Sequence, residues 1–151
     1  MSTSSSPDTV DVSVRRTFNA PPERVFDAWL TPRLLGQWMF GPRVRDENVI
    51  RLDVDPRVGG RFSMLVDRNG QMIDHVGEYL VVDRPRHLEF TWGIRGESDG
   101  DDSRVILRFS ATPSGCELHL THRLPLVWAD YASRTEQGWR TMLDALHAVF
   151  D

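Results

Sequence analysis

Few residues in this chain could do acid–base or metal chemistry, and their spacing limits what they can do together. His119 and His122 stand three apart in a run that alternates apolar and polar residues. On a strand that spacing sends two side chains to opposite faces, so the two imidazoles do not share one metal ion. His122 is in phase with Cys116, Leu118 and Leu120. There it either hydrogen-bonds a ligand or is a core-edge histidine satisfied by a neighbour. His75 and Glu78 are also three apart, so at most one of them faces inward. The apolar run at 79–82 leaves open which one does. Glu78 turned inward would be a buried carboxylate with a raised pKa, a candidate acid or base. Turned outward, it is solvated or neutralised by a sheet arginine. Cys116 follows a turn, has no activating partner in sequence, and reads as a small core residue. There is no G-x-S-x-G, P-loop, G-x-G-x-x-G, C-x-x-C or H-E-x-x-H in the chain. No metal and no cofactor are therefore expected.

Larger in number are the aromatic and methionine positions. Trp38, Phe62, Met64, Trp92, Phe109, Trp139 and Met142 are expected to converge on one interior space, with Glu78, Tyr79 and His122 as its few polar groups. Most such residues simply fill a core. Pockets for small molecules, however, are also mostly apolar with a few placed polar groups.

The elements that must position them follow from periodicity. Val10, Val12 and Val14 alternate with polar residues, a strand signal. Asn19 or a neighbour is expected to cap a helix that begins at the prolines and carries Val25, Phe26, Trp29 and Leu30 on one face. The Thr31–Pro32 pair stops it and starts a second short helix through Leu34, Leu35 and Trp38. Strands follow at 48–53 and 61–66, the latter with Phe62, Met64 and Val66 on one face. Asn69–Gly70 is the strongest hairpin signal in the chain. Further strands run over 72–82, through Leu88, Phe90 and Trp92, through Val105, Leu107 and Phe109, and through 116–122, with an acidic, flexible loop at 97–103 between two of them. After Pro125 the pattern is helical to the end, with Trp139, Met142, Leu143, Leu146, Val149 and Phe150 on one stripe. Strands joined by tight hairpins are antiparallel, and one apolar sheet face needs a cover. The long C-terminal stripe supplies it. Gly138 within that helix either lets it approach the sheet closely or opens a cavity mouth.

Bulk composition narrows the class. The 151 residues are 40% hydrophobic and 26% charged, which suits one globular domain at 10–151 after a mobile polar tail at 1–9. The net charge of −4 and the absence of any cationic cluster argue against nucleic acid. All 18 basic residues are arginine, as expected of a GC-rich bacterial genome. With one cysteine there is no internal disulfide. No apolar stretch reaches the ~18 residues needed to cross a bilayer and no secretory signal opens the chain. A cytoplasmic protein is expected.

Four segments carry a resemblance: RTFNAPPERVFDAW at 16–29 with Trp38 nine residues on; VGGRF at 58–62; GEY at 77–79 with PRHLEFTW at 85–92; and Gly138–Trp139 leading to Met142, Leu143 and Leu146. In order and spacing the chain resembles the START/Bet v 1-like (SRPBCC) superfamily, in the branch of activator of heat-shock-protein-90 ATPase homologues. The resemblance implies an α+β helix-grip fold: a curved antiparallel sheet of six to seven strands around a long C-terminal helix, with two short helices after the first strand. It implies a cavity between sheet and helix that takes lipids, sterols, polyketides or similar molecules in some relatives. Binding of an apolar or aromatic ligand is the expected function. The alternatives are a polyketide cyclase or dehydratase using His122 with Tyr79 or Glu78, and a co-chaperone-like interaction module. A homodimer is also plausible for such a domain.

Overall fold

The structure is a computed structural model and describes residues 9–97 and 103–151. The tail expected at 1–9 and the acidic loop expected at 97–103 lie largely outside those residues, although Thr9 already belongs to the first strand.

Seven strands form one antiparallel sheet: β1 (Thr9–Phe18), β2 (Asn48–Val54), β3 (Arg61–Arg68), β4 (Gln71–Asp83), β5 (His87–Ile94), β6 (Ser103–Thr112) and β7 (Gly115–Pro125). Their spatial order is β1-β7-β6-β5-β4-β3-β2. Consecutive strands pair through hairpins except at the ends, where β1 and β2 occupy opposite edges. The chain must therefore cross the whole sheet between them. Two short helices make that crossing, α1 (Pro22–Ala28) and α2 (Pro32–Trp38), each with proline in its first turn, where its missing N–H costs nothing. Pro21, not Asn19, is the N-cap of α1, with no side-chain cap bond.

Alternation decides which face of the sheet is buried. Phe62, Met64 and Val66 on β3, Val105, Leu107 and Phe109 on β6, and Cys116, Leu118, Leu120 and His122 on β7 all point inward and are buried. Asn69 and Gly70 turn β3 into β4 with φ of 54° and 85°, the left-handed pair a two-residue hairpin requires. The long helix α3 (Ala132–Val149) covers this face through Trp139, Leu143 and Leu146. Each buried side chain of that size contributes about 2 kcal/mol. They hold α3 down far more firmly than the exposed Arg16–Asp144 ion pair, a kind of contact worth under ~1 kcal/mol.

The chain is helical from Leu126 to Val149, as the pattern after Pro125 predicts, but its opening segment is not α-helix. After Pro125 the chain first makes a 3₁₀ turn, Leu126–Tyr131, broken by non-helical backbone at Trp128, before α3 begins. Leu126 and Val127 are 52% and 85% exposed, so this turn has no apolar stripe to bury and nothing fixes it as α-helix.

Candidate functional site

The interior between sheet and helix is filled unevenly. Deep in the fold, aromatic rings pack in sequence: Tyr79 on Phe62, Phe62 on Phe90 and Trp92, Trp92 on Trp139, and Trp139 on Trp29. Trp38 is fully buried beyond them, its Nε1–H bonded to the Ala28 carbonyl at 3.0 Å. Towards the N-terminal half of α3 the packing opens. Two adjoining cavities of about 200 and 260 Å³ lie there and share Trp92, Ile94, His122 and Thr135. The smaller continues to Leu124 and Trp128, and the larger to Phe40, Arg45, Arg68, His75, Gly138, Trp139 and Met142.

Of the residues expected at the site, Trp92, His122, Trp139 and Met142 line this space. Trp38, Phe62, Met64, Tyr79 and Phe109 are buried core, and Phe109 packs on Phe26 of α1. Glu78 is a correction. It sits out of phase with inward-facing Tyr79 and His75, on the outer face of β4. There it faces Arg61, its cross-strand partner, at 3.5 Å, and its side chain is 41% exposed. His75 is the member of that pair that faces inward, its ring 4.9 Å from Phe40 and 5.4 Å from Trp92. His119 and His122 do point to opposite faces: His119 lies on the outside, with its Nε2 at 2.8 Å from the hydroxyl of Ser13, a diagonal neighbour on β1.

The two buried histidines are held in opposite tautomers. The Trp139 Nε1–H is purely a donor and lies 3.0 Å from His122 Nδ1, so that nitrogen must accept. The His122 proton is then on Nε2, which donates to Ser103 Oγ at 2.9 Å, and Ser103 donates onward to the Trp92 carbonyl at 2.7 Å. Both nitrogens of His122 are engaged, so it offers the cavity a ring face and no free polar atom. His75 Nδ1 lies 3.2 Å from the Met64 carbonyl and must donate to it. Its Nε2 keeps a lone pair and has no partner among the described residues. Burial pushes both imidazoles down to about 4, so both are neutral at physiological pH. Ser103→Ala would strand the His122 Nε2–H and the Trp92 carbonyl together. We expect it to cost about 1–3 kcal/mol in urea denaturation, with Ser103→Thr restoring most of the loss.

One end of the cavity is charged, and the reading of motifs missed it. The loop between α2 and β2 carries Arg45 and Glu47, and Arg68 ends β3. The Glu47 side chain has no exposed surface. Its Oε2 accepts from the Gly41 N–H and from Arg45 Nη1, both at 2.9 Å, and its Oε1 accepts from Arg68 Nε at 3.0 Å and Nη2 at 2.7 Å. Burial pushes this carboxyl's pKa up, but those hydrogen bonds and the Arg45 charge outweigh it and leave it lowered. Two guanidinium groups against one carboxylate leave one positive charge in excess. Arg68 could have been found: it continues the phase of Phe62, Met64 and Val66, so a cation falls on an apolar face. Arg45 and Glu47 sit in a loop that has no period to read.

Among the described residues no group of three or more His, Cys, Asp or Glu could hold a metal, and no helix is long and apolar enough to cross a membrane.

Sheet, gripped helix and cavity together define a helix-grip domain of the Bet v 1-like class. The family described as Activator of Hsp90 ATPase homolog 1-like protein matches residues 19–151, and the chain belongs to it. The fold is shared with protein CV1439 of Chromobacterium violaceum at a TM-score of 0.80 and 24% identity, covering 95% of this chain and 97% of that one. A Rhodobacter sphaeroides protein superposes at a TM-score of 0.81 and 20% identity over 95% and 92% of the two chains. An AHSA1-like protein of Aeromonas hydrophila does so at 0.75 and 21% over 92% and 90%. A curated relative, an uncharacterized protein of Schizosaccharomyces pombe, is 26% identical over 113 residues, 75% of this chain; the match spans only 29% of that protein's length.

Proposed function

We propose that this protein binds an apolar or aromatic small molecule in the cavity between the sheet and α3. Ligand binding is a known property of the fold. The observation that carries the reading here is Gly138. It lies inside an 18-residue helix, where glycine costs about 1 kcal/mol against alanine. Apart from its chain neighbours and its own helix backbone, no described atom lies within 4 Å of where its Cβ would be, so no close packing against another element requires it. What its missing side chain leaves is space in the larger cavity. At about 200 and 260 Å³ the two compartments sit at the small end of ligand sites, which favours a ring-sized aromatic molecule over a sterol.

The test is native mass spectrometry of protein purified from its own host, with any adduct identified after denaturation. A stoichiometric organic adduct in the natural chain, lost in Gly138→Leu, supports the reading. A bare mass for both, with no ligand-induced shift from aromatic probes, would sink it. Gly138→Ala should fold more stably by about 0.5–1 kcal/mol, which separates the helix effect from the plug.

A catalytic reading would now rest on His75, since Glu78 is outside, Tyr79 is in the packed core and His122 has both nitrogens engaged. The bare Nε2 of His75 beside two arginines could take a proton from a bound acid. That role ranks second because the cavity explains the glycine and base catalysis does not. The chaperone activity in the family's name ranks third, because an open interior is not what a docking module needs.

A further inference from the structure

Resting on the binding reading, we propose that the ligand is an aromatic carboxylate, its carboxylate on Arg45 and Arg68 and its ring in the larger cavity against the wall that Phe40, Trp92 and Trp139 form.

Charge selects the head group. Arg45, Arg68 and Glu47 form one built cluster whose buried carboxylate fixes both cations in place. Both guanidinium groups line the larger cavity. Arg68 spends Nε and Nη2 on Glu47, and Arg45 spends Nη1 on Glu47 and on the Met39 carbonyl, each at hydrogen-bond distance. Nη1 of Arg68 and both Nε and Nη2 of Arg45 remain without an acceptor among the described residues. These are donors, and the excess charge is single, so a monoanion neutralises the cluster while a phosphate dianion would overshoot it. A carboxylate matches the planar donor geometry of guanidinium.

The walls select the body. Phe40 and Trp92 stand 6.4 Å apart with an interplanar angle of 14°, and Trp92 and Trp139 stand 6.1 Å apart at 55°. They offer ring faces and edges to a flat apolar group. His75 adds direction. Its unpartnered Nε2 is an acceptor, so it repels a carboxylate and keeps the head group on the arginine side. It would accept a hydrogen bond from a hydroxyl on the ring.

The experiment compares 2-naphthoate with 2-naphthamide, the neutral compound of the same shape, by isothermal titration calorimetry on the full chain at pH 7.5. One charge-assisted contact is worth about tenfold or more, so naphthoate should bind at least about tenfold tighter, with the advantage shrinking as salt is raised. Arg45→Gln removes the excess charge while Arg68 keeps its two bonds to Glu47, so it should weaken naphthoate far more than the amide and bring the two compounds level. Equal binding of both compounds by the natural chain overturns the carboxylate and leaves the cavity reading standing. Binding of neither at millimolar concentration overturns both. Should Arg45→Gln fail to fold, the compound pair on the natural chain decides alone.

Discussion

Lowering the pH from 7 to 4.5 is expected to remove most of this protein's folding stability. His75 and His122 are both buried and neutral, and burial holds each at about 4, against 6.5 for a free imidazole. The unfolded chain takes up these protons as pH falls through 6.5, and the folded chain refuses them until about 4. The stability is therefore complete above pH 6.5 and is lost between 6.5 and 4. At 1.36 kcal/mol per pH unit this amounts to roughly 3 kcal/mol per histidine, a sum comparable with the whole stability of a small domain. The two sites differ in how the proton would do damage. At His122 a proton on Nδ1 would face the Trp139 Nε1–H, donor against donor, and break the Trp139–His122 hydrogen bond. At His75 it would add a cation beside Arg68 and Arg45, relieved only in part by Glu47. Urea denaturation at pH 7.5, 6.5, 5.5 and 4.5 measures the effect. His122→Gln, which keeps a donor and an acceptor in place without titrating, should roughly halve the slope. A denaturation midpoint that stays level from pH 7 to 5 would show that neither imidazole is held neutral by the fold.

The fold was readable because its elements have periods and its turns have signatures. Phe62, Met64 and Val66 announced a buried face, Asn69–Gly70 announced the hairpin, and Trp139, Leu143 and Leu146 announced the covering stripe; all lie as expected. The site was only half readable, for a physical reason. Trp92, His122, Trp139 and Met142 are on regular elements, where alternation or helical spacing points them inward. Phe40, Arg45 and Glu47 come from the loop before β2, whose conformation is set by Glu47 gathering the Gly41 N–H and two arginines. No local pattern encodes such a tertiary contact. Glu78 shows a different failure. It lies between Gly77, which has no side chain to mark a face, and Tyr79, after which the β4–β5 register shifts. Apolar residues follow consecutively there, and the alternation that would have placed Glu78 outside is hidden. Aromatic composition likewise could not tell filler from wall. Phe62 and Trp92 are two strands apart in one cluster, yet only Trp92 reaches the cavity.

The same stretch of β4 holds the position where one added methyl group should do most harm. Gly77→Ala is expected to destabilise the domain by about 3 kcal/mol or more. A Cβ at Gly77 would stand 2.0 Å from the Thr91 carbonyl oxygen and 2.5 and 2.7 Å from two atoms of the Phe62 ring. Neither neighbour can give way cheaply. The carbonyl belongs to the backbone of β5. The Phe62 ring is packed against Tyr79, Phe90 and Trp92 at centroid distances of 5.5, 5.6 and 5.8 Å. Here the β4–β5 ladder is interrupted: pairing lapses between Val76–Gly93 and Tyr79–Phe90, and the Glu78 N–H bonds to Thr91 Oγ1 at 2.9 Å. Pushing them apart would move Trp92, so the damage should reach the cavity as well as the core. For a chain of this length the loss corresponds to a drop in Tm of roughly 10 °C, readable by thermal denaturation. Gly77→Ala with Phe62→Leu should recover only part of it, because the smaller side chain relieves the ring contacts and leaves the Thr91 carbonyl in place. Gly138→Ala is the internal contrast: the same methyl group, placed where no described atom beyond its own helix turn lies within 4 Å, should raise Tm. If Gly77→Ala melted within a degree or two of the natural chain, β4 and β5 would have to be able to separate freely, and the cavity wall built on Trp92 would then be far softer than its packing implies.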